Sequence, residues 1–322
     1  MQSDLDDDHD PDKCDDIASL TAHYIIETFT YPRMQAPPLS IEVYSATTTS
    51  GGNIVTSQRD LTGIMVWPAT HLLCHYLASN KVGEYILELG CGCGMLGITS
   101  WKANHSHRLW VSTDRDPKAL DLCRKNSKLN KLDIIDEASH RMLVRTLEWG
   151  NEAQIQEIFE ELRLCRDGKH NHITRSDGNH KVTFFDAIVA ADIVYPATCG
   201  QILQNLFRTV DLLLASGGTF WLSFATRDGA RTPQRLLEAA SEAGFSTDAL
   251  PPLNAETKSQ LPPLLDARIL LFRRNPKAKE HNMTLGFADC KVFPGLRAAI
   301  SRMEESSSEE EWDAPFVGVD DD

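Results

Sequence analysis

One stretch, at positions 85–97, constrains the fold of this chain more than any other part of its sequence. An apolar run at 85–87 is typical of a buried strand, and residues 95–103 have the composition of a helix. Between them come Glu88 and then three glycines at alternate positions. These glycines are Gly90, Gly92 and Gly94. Glycines serve where the backbone turns sharply or a ligand approaches it closely, and a helix N-terminus offers N–H groups. The stretch therefore predicts a strand, a ligand-binding loop and a helix.

The acid before the loop indicates which ligand fits. Glu88 would disfavour an anionic pyrophosphate at the floor of the loop but would tolerate a cationic, amino-acid-like ligand. S-adenosyl-L-methionine has a positive amine and sulfonium, and its carboxylate can meet backbone N–H groups. The competing interpretation is a dinucleotide site, because residues 92–97 also spell G-x-G-x-x-G. A glycine turn without a ligand is disfavoured, since three alternating glycines cost conformational entropy.

Further candidate site residues follow three later strands. The second strand, at 109–114, ends in Asp114, whose carboxylate can accept hydrogen bonds from two ribose hydroxyls. Asp116 precedes Pro117, so we interpret it as a helix N-cap. Trp149 follows the third strand, at 142–147, where an aromatic ring can contact an adenine.

The fourth strand, at 184–191, leads into Asp192 and Tyr195. Strands alternate with helices from 85 to about 244, which predicts a doubly wound, mostly parallel α/β sheet. Ligands bind at the C-terminal strand ends of such sheets, where all these candidates fall.

The first 84 residues are less regular. Residues 18–28 are predicted to form a short helix, and 41–44 and 53–56 two strands of a hairpin. Trp67 stands before a helix through residues 72–77, where it either packs in the core or contacts the ligand. Beyond the fourth strand, a helix at 203–214 is closed by residues 216–218.

Charge divides the chain into a near-neutral body and two acidic ends. The formal net charge is −14, but residues 1–16 hold eight Asp and one Lys, and 303–322 hold nine acids and no base. The remainder has 29 acidic and 31 basic residues. We predict a disordered acidic tail at 1–16, an N-terminal extension at 17–60, the main domain at 61–275 and a C-terminal extension with an acidic tail at 276–322. Nucleic acid is not an expected partner, because no broad basic face is indicated.

Eight cysteines occur without a C-x-x-C pair, which favours free thiols in a reducing compartment. We therefore expect a cytoplasmic protein, with the nucleus as a second location. No metal site is predicted, and the three histidines between 165 and 182 are assigned to a surface loop. Neither a signal peptide nor a membrane span is indicated. A monomer is expected.

Five motifs in this order resemble the seven-β-strand methyltransferases, and within them the Asp-x-x-Tyr protein-lysine methyltransferases. The motifs lie at 63–67, 88–94, 113–114, 147–150 and 191–195. The resemblance covers roughly 60 to 274. It implies a class I, Rossmann-like, seven-stranded sheet with an antiparallel last strand at 267–273 and a short N-terminal hairpin extension. It also implies a cofactor site formed by Trp67, Glu88, Gly90, Gly92, Gly94, Asp114, Trp149 and Ala191.

The expected reaction is methyl transfer from S-adenosylmethionine to a protein side-chain nitrogen, with lysine the first choice and histidine the other. Asp192 would orient the incoming ammonium, and Tyr195 would form a wall or accept a hydrogen bond. Asp192 alternatively caps the helix after Pro196. Two other functions stay open. One is an NAD-dependent oxidoreductase, and the other is a non-catalytic module that binds a partner through its acidic tails.

Overall fold

A computed structural model of the chain describes residues 23–33, 36–47, 63–104, 107–132, 136–137, 140–167, 184–264 and 266–275. These residues form ten strands and seven helices. The strands are β1 (His23–Tyr31), β2 (Leu39–Thr47), β3 (Tyr85–Leu89), β4 (Leu109–Asp114), β5 (Asp136–Glu137), β6 (His140–Thr146), β7 (Phe185–Ala191), β8 (Leu214–Ala225), β9 (Phe245–Ala249) and β10 (Ala267–Arg274). The helices are α1 (Pro68–Leu77), α2 (Met95–Ala103), α3 (Pro117–Leu129), α4 (Glu152–Asp167), α5 (Gln201–Leu213), α6 (Arg231–Glu242) and α7 (Ala255–Ser259).

The main sheet has the strand order β5-β6-β4-β3-β7-β8-β10-β9. Seven of these strands form the sheet proper, and β5 adds only two residues at one edge. The pairs among β6, β4, β3, β7 and β8 are parallel, whereas β10 is antiparallel to both β8 and β9. The predicted seven-stranded, doubly wound sheet with a reversed last strand is therefore confirmed.

Helices cover both faces of this sheet. On one face, α4, α5 and α6 pack against side chains that include Leu87, Ile188 and Phe220. On the other, α1, α2 and α3 pack against a second set that includes Ile86 and Val189. The central strands are buried on both faces, which explains why they are continuous apolar runs. This double cover leaves the strand ends as the place for a ligand.

The N-terminal hairpin joins the second of these faces. β1 pairs antiparallel with β2, from His23 opposite Thr47 to Tyr31 opposite Leu39. The prediction of a helix at 18–28 is therefore wrong for residues 23–28, and residues 18–22 lie outside the described part of the chain. The physical reason is that this segment is rich in β-branched and aromatic residues, which suit a half-buried strand.

The predicted hairpin also has a different partner. Residues 41–44 do lie in a strand, β2, but β2 pairs with the preceding β1. The predicted strand at 53–56 lies outside the described residues. Tyr31, Ile41 and Val43 share one buried cluster with side chains of α1 and α2. Within the described residues, the hairpin thus completes the core on this face of the main sheet.

The ends of α5 and α4 differ from the sequence prediction. The glycine pair near 217 does not close α5, because that helix ends at Leu213 and β8 begins at once at Leu214. Leu214 pairs with Phe185, and the register shifts before Ala187. At the other boundary, α4 continues to Asp167, into the segment predicted as a loop. Residues 168–183 and both acidic tails lie outside the described chain. Among the described helices, none has the length and apolar character needed to cross a membrane.

Candidate active site

A cavity of about 930 Å³ opens at the C-terminal ends of the parallel strands. Eight of the ten predicted site residues line it. They are Trp67, Gly90, Gly92, Asp114, Trp149, Ala191, Asp192 and Tyr195. Glu88 and Gly94 are not among the lining residues. The convergence arises because β3, β4 and β7 are parallel and end at the same edge of the sheet.

The glycine loop after β3 is shaped by its contacts with the rest of the chain. Gly90 and Gly94 have left-handed backbones, with φ of 66° and 85°. A Cβ atom at Gly90 would lie 2.5 Å from Cγ2 of Ile193, and one at Gly94 would lie 2.5 Å from Sγ of Cys123. Both positions therefore require glycine for their conformation and for close packing inside the protein.

The loop amides are bonded to protein atoms. The N–H of Cys91 donates to the Thr113 carbonyl at 2.8 Å, and the N–H of Gly94 donates to the Cys91 carbonyl at 2.8 Å. The N–H of Gly92 donates to Oδ2 of Asp114 at 3.0 Å. These three bonds hold the loop in place. The loop is thus preorganised beside the end of β4.

Glu88 lies behind the loop, with 1 % of its surface exposed. Its Oε2 accepts hydrogen bonds from Oγ of Ser112 at 2.6 Å and from Nε1 of Trp110 at 3.1 Å. Burial raises the pKa of the carboxyl from 4.5 to about 7, and these two bonds oppose the rise. Glu88 joins β3 to β4 under α2, and a cofactor contact for it stays a prediction.

Asp114 ends β4 at the cavity wall. Its Oδ2 accepts from the N–H of Gly92, and its Oδ1 accepts from the N–H of Asp116, both at 3.0 Å. Burial raises the pKa of Asp114, and the two N–H donors oppose the rise. Each oxygen keeps a lone pair for a further donor, such as a ribose hydroxyl. Asp116 itself accepts from the N–H of Lys118 at 3.0 Å, so its predicted N-cap role is confirmed.

An aromatic and apolar wall follows β6. Trp149 is partly buried, packs against the core and lines the cavity beside Leu147. The Leu147 N–H donates to the Asp114 carbonyl at 2.9 Å, and the Gly150 N–H donates to Oγ1 of Thr209 at 2.9 Å. These two bonds fix the backbone on either side of Trp149. The wall offers a flat apolar surface next to a carboxylate, which suits a nucleoside.

The cavity lining also contains an ion pair. Asp192 follows β7 with a left-handed φ of 56°, and its side chain has no exposed surface. Its Oδ1 and Oδ2 accept from Nη1 and Nη2 of Arg227, both at 2.8 Å. The N–H of Ala225 lies 3.4 Å from Oδ1. This bidentate geometry is the strongest form of a guanidinium–carboxylate contact.

Arg227 lines the cavity and was not predicted by the sequence analysis. Its guanidinium lies over the ring of Trp67, 5.1 Å from the ring centroid, and the side chain lines the cavity. Trp67 is the N-cap residue of α1 and is followed by Pro68 at the first helical position. Arg227 stands two residues beyond β8, so the strand-end rule that found Asp192 also applied to it.

Asp192 is not a helix cap. The next helix, α5, begins at Gln201 with Gly200 as its N-cap and no side-chain cap bond. Tyr195 has 39 % of its surface exposed at the cavity mouth, where its carbonyl accepts from the Thr198 N–H at 2.7 Å. The carboxylate expected to meet an ammonium is therefore already paired, and Tyr195 lines the same cavity.

Over the described ranges, no group of three or more His, Cys, Asp or Glu side chains is arranged to hold a metal ion. The histidines between 168 and 183 lie outside those ranges.

Part of the sequence is similar to that of known lysine methyltransferases. Residues 52–164 match the model of a family described as lysine methyltransferase. The protein-lysine methyltransferase METTL21E of Mus musculus is 27 % identical over 164 residues, which are 49 % of this chain and 54 % of that protein. The electron transfer flavoprotein beta subunit lysine methyltransferase of Xenopus laevis is 33 % identical over 82 residues, 24 % of this chain and 32 % of that protein.

A solved structure of ribosomal protein L11 methylase from Lactobacillus delbrueckii subsp. bulgaricus aligns with a TM-score of 0.39 and 16 % identity, over 64 % of this chain and 77 % of that one. The chain spans about a third of the length of the Xenopus relative and about half that of the mouse relative.

Proposed function

We propose that this chain, whose residues 52–164 match the model of a family described as lysine methyltransferase, transfers a methyl group from S-adenosylmethionine to a lysine side chain of a protein substrate. The observation that carries the proposal is the meeting of Asp114, Trp149 and Asp192 on one cavity with the glycine loop. This cavity has the size and the mixed apolar and polar lining of a cofactor site.

The residues fit the cofactor. Asp114 has free lone pairs for the ribose hydroxyls, Trp149 and Leu147 offer a surface for the adenine, and the backbone at Gly90 and Gly92 borders the space for the amino-acid part. When bound, S-adenosylmethionine supplies a methyl group on a positively charged sulfur, which departs as a neutral thioether.

The protein contributes position and a dry environment. The acceptor end is the part of the cavity that would receive the lysine nitrogen. It is bordered by Tyr195, Pro196 and Ile202, and Tyr195 and Ile202 are 39 % and 46 % exposed. These side chains form an apolar rim through which an extended lysine side chain can enter. Holding the nitrogen in line and excluding water are the main sources of acceleration for a reaction with a good leaving group.

The other two functions receive no support from the comparisons, which name lysine methyltransferases. A protein partner follows from the lysine acceptor. We retain the cytoplasm, with the nucleus as a second location, and a monomeric state as part of the proposal. The buried free thiols of Cys74, Cys91, Cys93 and Cys123 suit a reducing compartment.

A thermal-shift assay tests the cofactor. S-adenosylmethionine and S-adenosylhomocysteine should each raise the melting temperature, and NAD should not. Stabilisation follows the excess of ligand over its dissociation constant, so only a ligand that binds the folded protein raises the melting temperature. A shift with NAD alone would instead identify an oxidoreductase, and no shift with any of the three would indicate a binding module.

Labelling tests the acceptor. The protein is incubated with cell extract and S-adenosylmethionine that carries a tritiated methyl group, and the labelled protein is digested and sequenced by mass spectrometry. We expect label on lysine. Label on histidine would correct the acceptor, whereas extract that is labelled equally without the protein would contradict the proposal. The surface variant Asp121→Ala, which alters an exposed pair with Arg124, should label as the parent does.

A further inference from the structure

The ion pair between Asp192 and Arg227 decides which charge the acceptor end presents. Seven charged residues line the cavity, and these two are the ones that follow β7 and β8. The other five are Asp114, Arg115, Asp116, Lys118 and Glu148. Asp192 has no exposed side-chain surface, while 25 % of the Arg227 side chain is exposed. An incoming group therefore meets the guanidinium and not the carboxylate.

The pair is held from several sides. Two hydrogen bonds of 2.8 Å join the two carboxylate oxygens to the fork of the guanidinium. The guanidinium of Arg227 also lies over the Trp67 ring, with Cζ 5.1 Å from the ring centroid. Removing the guanidinium would leave a buried carboxylate without its counter-ion, which is strongly unfavourable. The guanidinium is thus a fixed part of the cavity lining.

The net charge of the reacting complex determines how the Arg227 guanidinium changes its energy. A neutral amine beside the sulfonium makes a complex with one positive charge, and that charge stays at one while it moves from sulfur to nitrogen. An ammonium beside the sulfonium makes a complex with two positive charges and has no lone pair to react. A fixed guanidinium raises the energy of the doubly charged complex more than that of the singly charged one.

We propose that Arg227 is a specificity-determining residue that admits the acceptor nitrogen in its uncharged form. This inference rests on the proposed methyl transfer. Arg227 screens Asp192 and disfavours an ammonium at the transfer position, so the lysine loses its proton to water before its amine is in place. The lone pair then forms the new N–C bond as the C–S pair returns to sulfur, and the methylated nitrogen later releases its second proton to water.

Two cofactor analogues test this without any acceptor. S-adenosylhomocysteine has an uncharged thioether at the transfer position, whereas sinefungin has a protonated amino group there. Dissociation constants of both are measured by calorimetry at pH 7 for the parent and the variants. The readout is the ratio of the two constants, because a general loss of structure weakens both ligands and cancels.

In the parent, S-adenosylhomocysteine should bind more tightly than sinefungin. Arg227→Gln removes the charge and should move the ratio toward sinefungin by about tenfold, which is on the order of one charge–charge interaction across a cavity. Arg227→Lys keeps the charge and should restore the parent ratio to within about threefold. Asp192→Asn leaves the guanidinium unscreened and should move the ratio the other way.

The matched control is Arg273→Gln. Arg273 pairs with Asp248 at 2.7 Å on an exposed edge and does not line the cavity, so the ratio should not change. An unchanged ratio in Arg227→Gln, with both ligands still bound, would overturn the assignment of Arg227 and leave methyl transfer standing. If neither analogue binds the parent, the proposed function fails and this inference fails with it.

Discussion

Asn126 continues the hydrogen-bond ladder of β2 by pairing its side chain with the backbone of Tyr44. Its Oδ1 accepts from the Tyr44 N–H at 2.7 Å, and its Nδ2 donates to the Tyr44 carbonyl at 3.1 Å. The same Nδ2 donates to the Cys93 carbonyl of the glycine loop at 2.8 Å. One buried amide therefore joins the N-terminal hairpin, α3 and the loop at the cavity.

Asn126→Ala should destabilise the whole fold. It leaves three backbone groups without a partner, and each buried unpaired group costs about 1–3 kcal/mol. We expect a loss of roughly 2–4 kcal/mol in the free energy of unfolding, since water can replace part of the bonding to the partly buried backbone of Tyr44. Urea denaturation measures it. Asn80→Ala is the control, because its Nδ2 donates a single bond to the Tyr76 carbonyl. Equal losses in the two variants would show that the shared bridge adds nothing.

Glu88 makes stability depend on pH in a specific direction. Its pKa is raised from 4.5 to about 7 in the folded protein, so the folded state holds the proton more tightly than the unfolded state. Its contribution is therefore favourable below about pH 4.5 and is lost as the pH rises to about 7, with a total on the order of 3 kcal/mol. His71 has a pKa lowered to about 4 by burial, and its contribution runs the opposite way.

Comparison with Glu88→Gln isolates this effect, because His71 contributes equally to both proteins. The glutamine carbonyl can still accept from Ser112 and Trp110. The stability difference between parent and variant, from urea denaturation between pH 4.5 and 8, should shift in favour of the variant as the pH rises. A difference that stays constant over this range would contradict the raised pKa.

Asp114→Ala should weaken cofactor binding. The change removes the predicted acceptor for the ribose hydroxyls and also the partner of the Gly92 N–H. An unpaired buried group costs about 1–3 kcal/mol, so the affinity for S-adenosylhomocysteine should fall roughly tenfold to a hundredfold. Calorimetry measures the dissociation constant. Asp121→Ala, at an exposed position on α3, should bind as the parent does. Parent-like affinity in Asp114→Ala would remove Asp114 from the site.

Tyr195 should act through its ring. Tyr195→Ala opens the wall at the mouth and should lower the methylation rate at least about tenfold at unchanged cofactor affinity, because positioning is lost. Tyr195→Phe keeps the ring and should retain most activity. Rates come from label transfer to the extract protein, with Leu237→Ala as an exposed apolar control. If Tyr195→Phe is as impaired as Tyr195→Ala, the hydroxyl is the required group.

The order of elements and the edge that bears the site were readable from local patterns. Apolar runs marked β3, β4 and β7, and helical segments separated them, so parallel connections followed. The strand-end positions of Asp114 and Asp192 then placed both at one edge. Asp116 before Pro117 was sufficient to predict an N-cap, because capping needs only neighbours in sequence.

Long-range partners were not readable in this way. The bond from Asp192 to Arg227 joins residues 35 positions apart, and that from Asn126 to Tyr44 joins residues 82 apart. Nothing local in either segment specifies such a partner. The segment at 23–28 was also misassigned, because short apolar runs suit a helix or a strand and only pairing with β2 decides between them.

The sequence by itself determined the class of fold and the side of the sheet on which the cavity opens, because strand and helix periodicity are local properties. The tertiary structure alone decided what each site residue faces. It turned Glu88 toward Trp110 and Ser112, paired Asp192 with Arg227 and placed that guanidinium over Trp67. The direction of a side chain depends on the elements that pack around it, and these come from distant parts of the chain.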